Sequence, residues 1–363
     1  MKTKTHIPLF SKKNITVLVI FAFAALVLAS CDVGAAIDTD PGPKVTVYVV
    51  GLDNSKPCYW VNGEKVEIPV NDLGENPNAS NITVSNGSVY VAGGYFSGSA
   101  NHYYYKKGSS QPETLVFPES SNNNITGIAG YGGSAYVTGY YQTFIDGQYY
   151  SRACYWKDGS CTQLSNPEPK KESMAHAITI SNGSVYVAGT YDGKACYWKD
   201  GEVPVTLGEL QLGNYLSDAS LEIAVSNTGL VCVAASNRSE AWYWKDNVRT
   251  ELVFPYGATK KIITGIDVSG ETVYVAGRFG EKSYEKACYW VNGNKTDLFN
   301  SKIVSCIPGN IVFFDNSVFV GCSYLCEIGA KTRGFGYWKD GTLHLKGNIP
   351  ILADRYDSAI EVE

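Results

Sequence analysis

Ala195-Cys196-Tyr197-Trp198-Lys199-Asp200-Gly201 decides the reading of this chain, because most of the chain is that stretch rewritten. It recurs as Ala153-Cys154-Tyr155-Trp156-Lys157-Asp158-Gly159 and as Ala287-Cys288-Tyr289-Trp290-Val291-Asn292-Gly293. Looser copies lie at Cys58–Gly63, Trp242–Asn247 and Gly336–Gly341, and a degraded one at Tyr103–Gly108. Aligned on Trp60, Tyr105, Trp156, Trp198, Trp244, Trp290 and Trp338, the steps are 45, 51, 42, 46, 46 and 48 residues. Seven copies at a period in the forties define a repeat array that takes up the chain from about residue 44 onward.

Working outward from Trp198, the unit reads as four strands. Ala177–Ile180 alternates as strand A. Asn182-Gly183 is a hairpin turn, since both positions tolerate positive φ. Val185–Gly189 is strand B, Thr190–Gly193 a loop, and Ala195–Trp198 strand C. Asp200-Gly201 turns into strand D, Val203–Leu207, where Pro204 suits an edge. Strand B recurs as Val89–Gly93, Ala135–Gly139, Val273–Gly277 and Val318–Gly321.

Four-stranded units of this kind bury their faces by stacking around an axis. The expected fold is therefore all-β: one seven-bladed β-propeller of four-stranded antiparallel blades. Val45–Gly51 is a strand B without a strand A, and Ser358–Val362 a strand A without a strand B. The N- and C-terminal strands should pair and close the ring, leaving no free edge.

The N-terminus carries a different signal. Lys2, Lys4, Lys12 and Lys13 precede an apolar run from Ile15 to Leu28, which has signal-peptide length. Leu28-Ala29-Ser30-Cys31 resembles the bacterial lipobox. That resemblance implies a lipoprotein signal peptide over 1–30, a lipid (palmitate-type) anchor on Cys31, and attachment to a membrane of the bacterial cell envelope, inner or outer. Residues 31–43, ending in Pro-Gly-Pro, read as a flexible tether.

Without residues 1–30 the chain has 26 basic and 35 acidic residues, a net charge of -9. An acidic chain without a basic stripe argues against nucleic acid as a partner. No His-Glu-x-x-His, Cys-x-x-Cys, Walker A or Gly-x-Ser-x-Gly motif is present, so no metal, cofactor or catalytic residue is nominated. Acidic loops leave a calcium ion open. The repeated Trp, Tyr and Cys read as inter-blade core. Cys154/Cys161 and Cys322/Cys326 are the two candidate disulfides of an oxidising envelope.

The repeat Gly-x-Tyr…Ala-x-Tyr-Trp-x-Asp/Asn-Gly…Leu resembles the HAF-type extracellular repeats of bacteria over nearly all of 45–363. Val91-Ala92-Gly93-Gly94 resembles a kelch double glycine in one blade. The motif is specific for architecture and poor for function.

The B–C and D–A connections vary most, with Tyr140–Arg152 and Cys322–Phe335 read as long loops. Aromatics recur there: Tyr95, Tyr141, Tyr191 and Phe279 two residues after the strand B glycine, with Tyr140, Phe144, Tyr149, Tyr150, Tyr284 and Tyr324 nearby. Variable loops on a rigid scaffold tend to carry binding. Tyr95, Tyr140, Tyr141, Tyr191, Phe279, Tyr284 and Tyr324 are therefore the expected ligand contacts of a monomeric, non-enzymatic binding or adhesion module. The ligand class is a glycan or a protein. A propeller enzyme acting on glycans (lyase or hydrolase) and a scaffold subunit of an envelope complex stay open. An enzyme would need carboxylates, His or Tyr converging near the axis.

Overall fold

The structure, a computed structural model, describes residues 43–70, 73–118, 122–210, 220–237, 239–281, 284–326, 332–349 and 357–363. Cys31, the signal peptide and the tether to residue 42 lie outside them. The described chain forms seven four-stranded antiparallel sheets. The first strands of successive blades are neighbours all the way around one axis. This is the expected seven-bladed β-propeller.

Asp357–Val362 lies beside Val45–Asp53, with Val362 opposite Val45 and Asp357 opposite Val50. The C-terminal strand is therefore strand A of blade 1, and the ring closes as the two half-units predict. Blades 2 to 7 follow in chain order, beginning at Glu75, Asn123, Ser173, Ser220, Thr259 and Ile303.

The motif residues explain themselves in physical terms. The Asp or Asn of the C–D turn adopts positive φ, and its side chain reaches back to a backbone N–H near the start of strand B. Asn62 accepts from Val47 N (3.0 Å), Asp158 from Ala135 N (2.9 Å) and Asp200 from Val185 N (2.8 Å). Asn292 and Asp340 repeat the bond at 2.9 and 2.8 Å, to Val273 and Val318. One short side chain thus sets the turn and pins strand B, the neighbour of strand C.

The Lys before it lies over the strand B aromatic: Lys157 over Tyr136 at 5.4 Å and Lys199 over Tyr186 at 5.6 Å. The motif Cys donates to the carbonyl of the strand B glycine, Cys196 to Gly189 at 3.5 Å and Cys288 to Gly277 at 3.6 Å. Burial pushes these thiols up, well above the ordinary range.

The Trp is inter-blade core. Trp156, Trp198 and Trp290 are fully buried. Their indole N–H groups donate to carbonyls of the preceding blade, Val116 O (2.8 Å), Ser165 O (2.9 Å) and Val253 O (3.3 Å). Each large buried aromatic of this kind removes roughly 150–250 Å² from water.

Two readings need correction. Tyr140–Arg152 is not a loop: strands B and C of blade 3 continue as Ser134–Ile145 and Gln148–Lys157. They stay in register to Ile145 opposite Gln148, and the turn is only Asp146-Gly147, both at positive φ. Tyr140, Tyr141, Thr143, Phe144, Ile145, Tyr149 and Tyr150 are aromatic or β-branched, a composition that suits strands rather than a loop. Cys322–Phe335 likewise belongs mainly to strands Ser317–Cys326 and Thr332–Lys339.

The Cys322/Cys326 disulfide falls with it. The two residues share one strand, four positions and roughly 13 Å apart, which is beyond bridging distance. The thiol of Cys322 instead meets Cys306 on the adjacent strand, and Cys154 meets Cys161. All nine described cysteines are free thiols here.

Candidate functional site

The recurring aromatics do not form an exposed face. Tyr141, Phe279 and Tyr324 are buried, at 3%, 6% and 4% exposure. Tyr95, Tyr140, Tyr191 and Tyr284 are half-buried. Tyr141 donates to Gln163 Oε1 at 2.9 Å, and Phe279 meets Phe254 edge-on at 5.9 Å. The reason is strand periodicity. A residue two positions after the strand B glycine points to the same face as the glycine, into the gap between blades. Because strand B runs on past the glycine, the aromatic fills that gap instead of crowning a loop.

Farther out, the picture changes. Phe144 and Tyr149 face each other across the tip of the blade 3 hairpin, ring centroids 4.9 Å apart, and are 59% and 54% exposed. Asp146 in the turn pairs with Lys170 at 3.0 Å. Phe96, 48% exposed, ends strand B of blade 2, and Val116, 70% exposed, follows strand D of that blade. Up-and-down topology puts B–C tips and D–A connections on one face of the disc, so all four belong to one side of blades 2 and 3. Blade 4 has no such extension: its strands B and C end at Tyr191 and begin at Lys194.

A second constellation lies on the axis, and the sequence reading did not name it. Strand A carries a bulge in several blades, at Ser80, Thr126, His176, Thr264 and Gly309–Asn310. A bulge re-aims one side chain. Thr126, His176, Thr264 and Asn310, with Asn81, Glu222 and Ser358, line a cavity of ~190 Å³.

The signal for these bulges was in the sequence: the strand B glycine. A Cβ on Gly93 or Gly189 would meet a strand A carbonyl at 2.0 Å, that of Asn78 or Met174. In blades 2, 3, 4 and 6 glycine admits this close approach, whereas blade 7 carries its bulge opposite Cys322 and places Gly309 in the bulge itself. Blade 5 has Ala235 at this position, and there strands A and B pair without a shift.

Several axial side chains also join blades. Asn81 Nδ2 donates to Thr126 O (3.3 Å), Thr126 Oγ1 to Ala175 O (2.9 Å) and Ser220 Oγ to Ile263 O (2.7 Å). Asp267 Oδ2 accepts from Phe313 N (2.7 Å), and Asn310 Oδ1 from Ile360 N (3.0 Å). Burial pushes the Asp267 carboxyl up, opposed by its two backbone N–H donors. His176 Nε2 and Thr264 Oγ1 are buried without a hydrogen-bond partner. Burial lowers the His176 imidazole to about 4, so it is neutral at pH 7. Among the described residues, no three His, Cys, Asp or Glu side chains are placed to hold a metal ion.

No family model matches the chain. No curated protein matches it in sequence. Solved structures do match in shape. A Mycobacterium tuberculosis puromycin-hydrolyzing peptidase is similar at 8% identity and TM-score 0.52, over 86% of this chain and 54% of the peptidase. YCF48 bound to D1 peptide is similar at 13% identity and TM-score 0.40, over 84% of this chain and 86% of that one. YjhT is similar at 13% identity and TM-score 0.39, over 71% and 96%. The chain is a β-propeller, and at these identities the likeness speaks to the fold alone.

Proposed function

We propose that this propeller is a non-enzymatic binding module that takes a glycan or protein ligand on the B–C face of blades 2 and 3. The exposed Phe144–Tyr149 pair, held on a hairpin that outreaches its blade 4 counterpart, carries this reading. Two aromatic rings fixed by cross-strand pairing offer apolar faces at little entropic cost, suited to sugar C–H faces or apolar side chains. Phe96 and Val116 extend the same apolar side. Lipid attachment at Cys31, after removal of residues 1–30, would hold this face at an envelope membrane, with 32–43 as tether.

The test is a glycan and protein array probed with the wild-type chain and with a Phe144→Ala/Tyr149→Ala variant. The expected result is a specific ligand for the wild type, lost in the variant at unchanged melting temperature. Equal retention by both would show that the hairpin tip is not the contact. Mass spectrometry of the mature chain tests the anchor: a diacylglyceryl mass on Cys31 supports it, and an unmodified N-terminus elsewhere refutes it.

A further inference from the structure

In blade 5 the motif turn is released from its strand. In blades 1, 3, 4, 6 and 7 the turn Asp or Asn holds strand B twice. Its side chain accepts a strand B N–H, and its own N–H donates to a strand B carbonyl, as Asp200 N does to Val185 O at 2.8 Å. The blade 5 turn is Asp246-Asn247, both at positive φ, and it makes neither bond to Val231 among the described residues. The reason lies in the A–B connection, which here runs from Ser226 to Leu230 between the two strands. Ser226 Oγ accepts from Thr228 N at 3.3 Å and from Leu230 N at 3.1 Å. That serine-centred turn supports the start of strand B by itself and leaves Asp246 unused.

Across the gap, strand D of blade 4 departs from the repeat as well. Ala195 pairs with Gly208 and Cys196 with Thr206, so Leu207 is a bulged extra residue whose side chain is re-aimed. The two departures meet between blades 4 and 5 in a pocket of ~140 Å³. Its apolar walls are Leu207, Val231, Val233 and the rings of Tyr197 and Trp244. Its polar groups are Asp246, Asn247 and the Tyr197 hydroxyl. None of these three makes a side-chain hydrogen bond or an ion pair among the described residues. The nearby cations are engaged elsewhere, Lys245 with Glu271 at 2.6 Å and Lys199 over the Tyr186 ring. Burial pushes the Tyr197 phenol up, and Tyr186 and Asp246 add to this, so its hydroxyl keeps its proton.

The lining therefore offers an acceptor at Asp246, donors and acceptors together at Asn247 and Tyr197, and apolar walls. A simple cation uses only the first, and an aliphatic group only the last. A sugar ring matches all three, because its hydroxyls both donate and accept and its C–H faces are apolar. The volume is well below the roughly 300–1,000 Å³ of pockets that enclose drug-sized ligands, which leaves room for one ring and not for a chain. We propose that the cleft between blades 4 and 5 binds a single neutral pyranose unit, with Asp246, Asn247 and Tyr197 bonded to its hydroxyls and Leu207 and Val231 against its C–H face. A free monosaccharide and the terminal unit of a glycan both present this ring. The cleft lies at the A–B and C–D turns, on the side of the disc opposite Phe144 and Tyr149, and does not rest on the reading of that hairpin.

The experiment is saturation-transfer NMR and calorimetric titration of the full chain with glucose, galactose, mannose and N-acetylglucosamine, their methyl glycosides, and tetramethylammonium chloride as a cationic control. At least one pyranose should bind, and tetramethylammonium should not displace it. Asp246→Gly, which suits the φ of 49° at this turn, should weaken that sugar about tenfold or more by removing a charged acceptor. Tyr197→Phe should weaken it about two- to tenfold. Both variants break no side-chain bond seen in the structure, so their melting temperatures should match wild type. Leu207→Trp, which fills the pocket, should abolish binding; if it does not fold, the other two variants decide. Binding of a methyl glycoside would identify the end of a glycan as the source, and its failure a free sugar. No pyranose binding, displacement by tetramethylammonium, or equal binding by Asp246→Gly, Tyr197→Phe and wild type would each overturn the proposal. Sugar binding lost in Phe144→Ala/Tyr149→Ala but kept in Asp246→Gly would also overturn it and place the sugar at the hairpin tip.

Discussion

Blades 3 and 4 differ in one respect that separates architecture from function. Both carry Ala-Cys-Tyr-Trp-Lys-Asp-Gly, and both bury its Trp completely. Both use the turn Asp to hold strand B, at 2.9 and 2.8 Å. In blade 4 strands B and C stop at Tyr191 and Lys194, whereas in blade 3 they run on to Ile145 and Gln148. The shared part is packed between blades and cannot vary without damage. The extension is solvated on most sides and contributes little to the ring. Motif residues therefore report stability, and departures from the motif mark where the proposed ligand face would lie.

The comparison can be broken or sharpened by mutation. The largest effect should come from the ring itself. Deleting residues 358–363 removes strand A of blade 1 and exposes the edge at Val45–Val50. Scanning calorimetry and light scattering should show a much lower melting temperature and concentration-dependent association. A monomer with an unchanged melt would mean that closure does not depend on this strand.

Trp198→Ala comes next. It empties a fully buried site and orphans Ser165 O. Urea unfolding should show a loss of about 3–5 kcal/mol, and Trp156→Ala in blade 3 should match it if the motif is equivalent in both blades. Tyr141→Ala should cost about 3 kcal/mol, through lost burial and the bond to Gln163. A near-neutral Tyr141→Ala would move this residue back to the ligand face.

The axial ring should show itself through pH. His176 binds its proton less readily folded, at about 4 against the ordinary 6.5. Between those values the unfolded chain carries more protons, so stability contributed by the neutral ring is full above pH 6.5 and is lost as pH falls toward 4. His176 as a residue is half-buried although its Nε2 is enclosed, so the effect should be about 1–2 kcal/mol, below the full value of the shift. Unfolding curves of wild type and His176→Gln across pH 4–7 check it: the variant should show a shallower acid slope, and parallel curves would contradict it. The smallest effect belongs to the hairpin tip. Phe144→Ala/Tyr149→Ala should change stability by no more than roughly 0.5 kcal/mol. A large loss there would make the extension part of the core and erase the difference between the two blades.

The architecture was legible because each blade repeats one local solution. Positive-φ turn residues, an alternating strand and a large aromatic at a fixed offset recur, and repetition turns weak local signals into a firm expectation. Even the ring closure could be read, from two half-units that complete each other. The aromatics after the strand B glycine were misplaced because one cue, strand length, is not written locally. Tyr141 and Phe144 sit three positions apart on one strand, with similar neighbours, yet one is 3% and the other 59% exposed.

Sequence by itself determined the repeat, the blade count, the turn chemistry and the structural role of Trp, Cys and Asp, all of which depend on contacts within one blade or between adjacent ones. Tertiary structure alone decided what meets on the axis. Asn81, Thr126, His176, Glu222, Thr264, Asn310 and Ser358 come from seven different blades and share no motif. They converge because each blade presents its strand A to the centre and because bulges, admitted in blades 2, 3, 4 and 6 by the missing Cβ of a glycine on the next strand, turn several of those side chains inward. Convergence of that kind depends on how strands cross an axis, and no spacing along the chain encodes it.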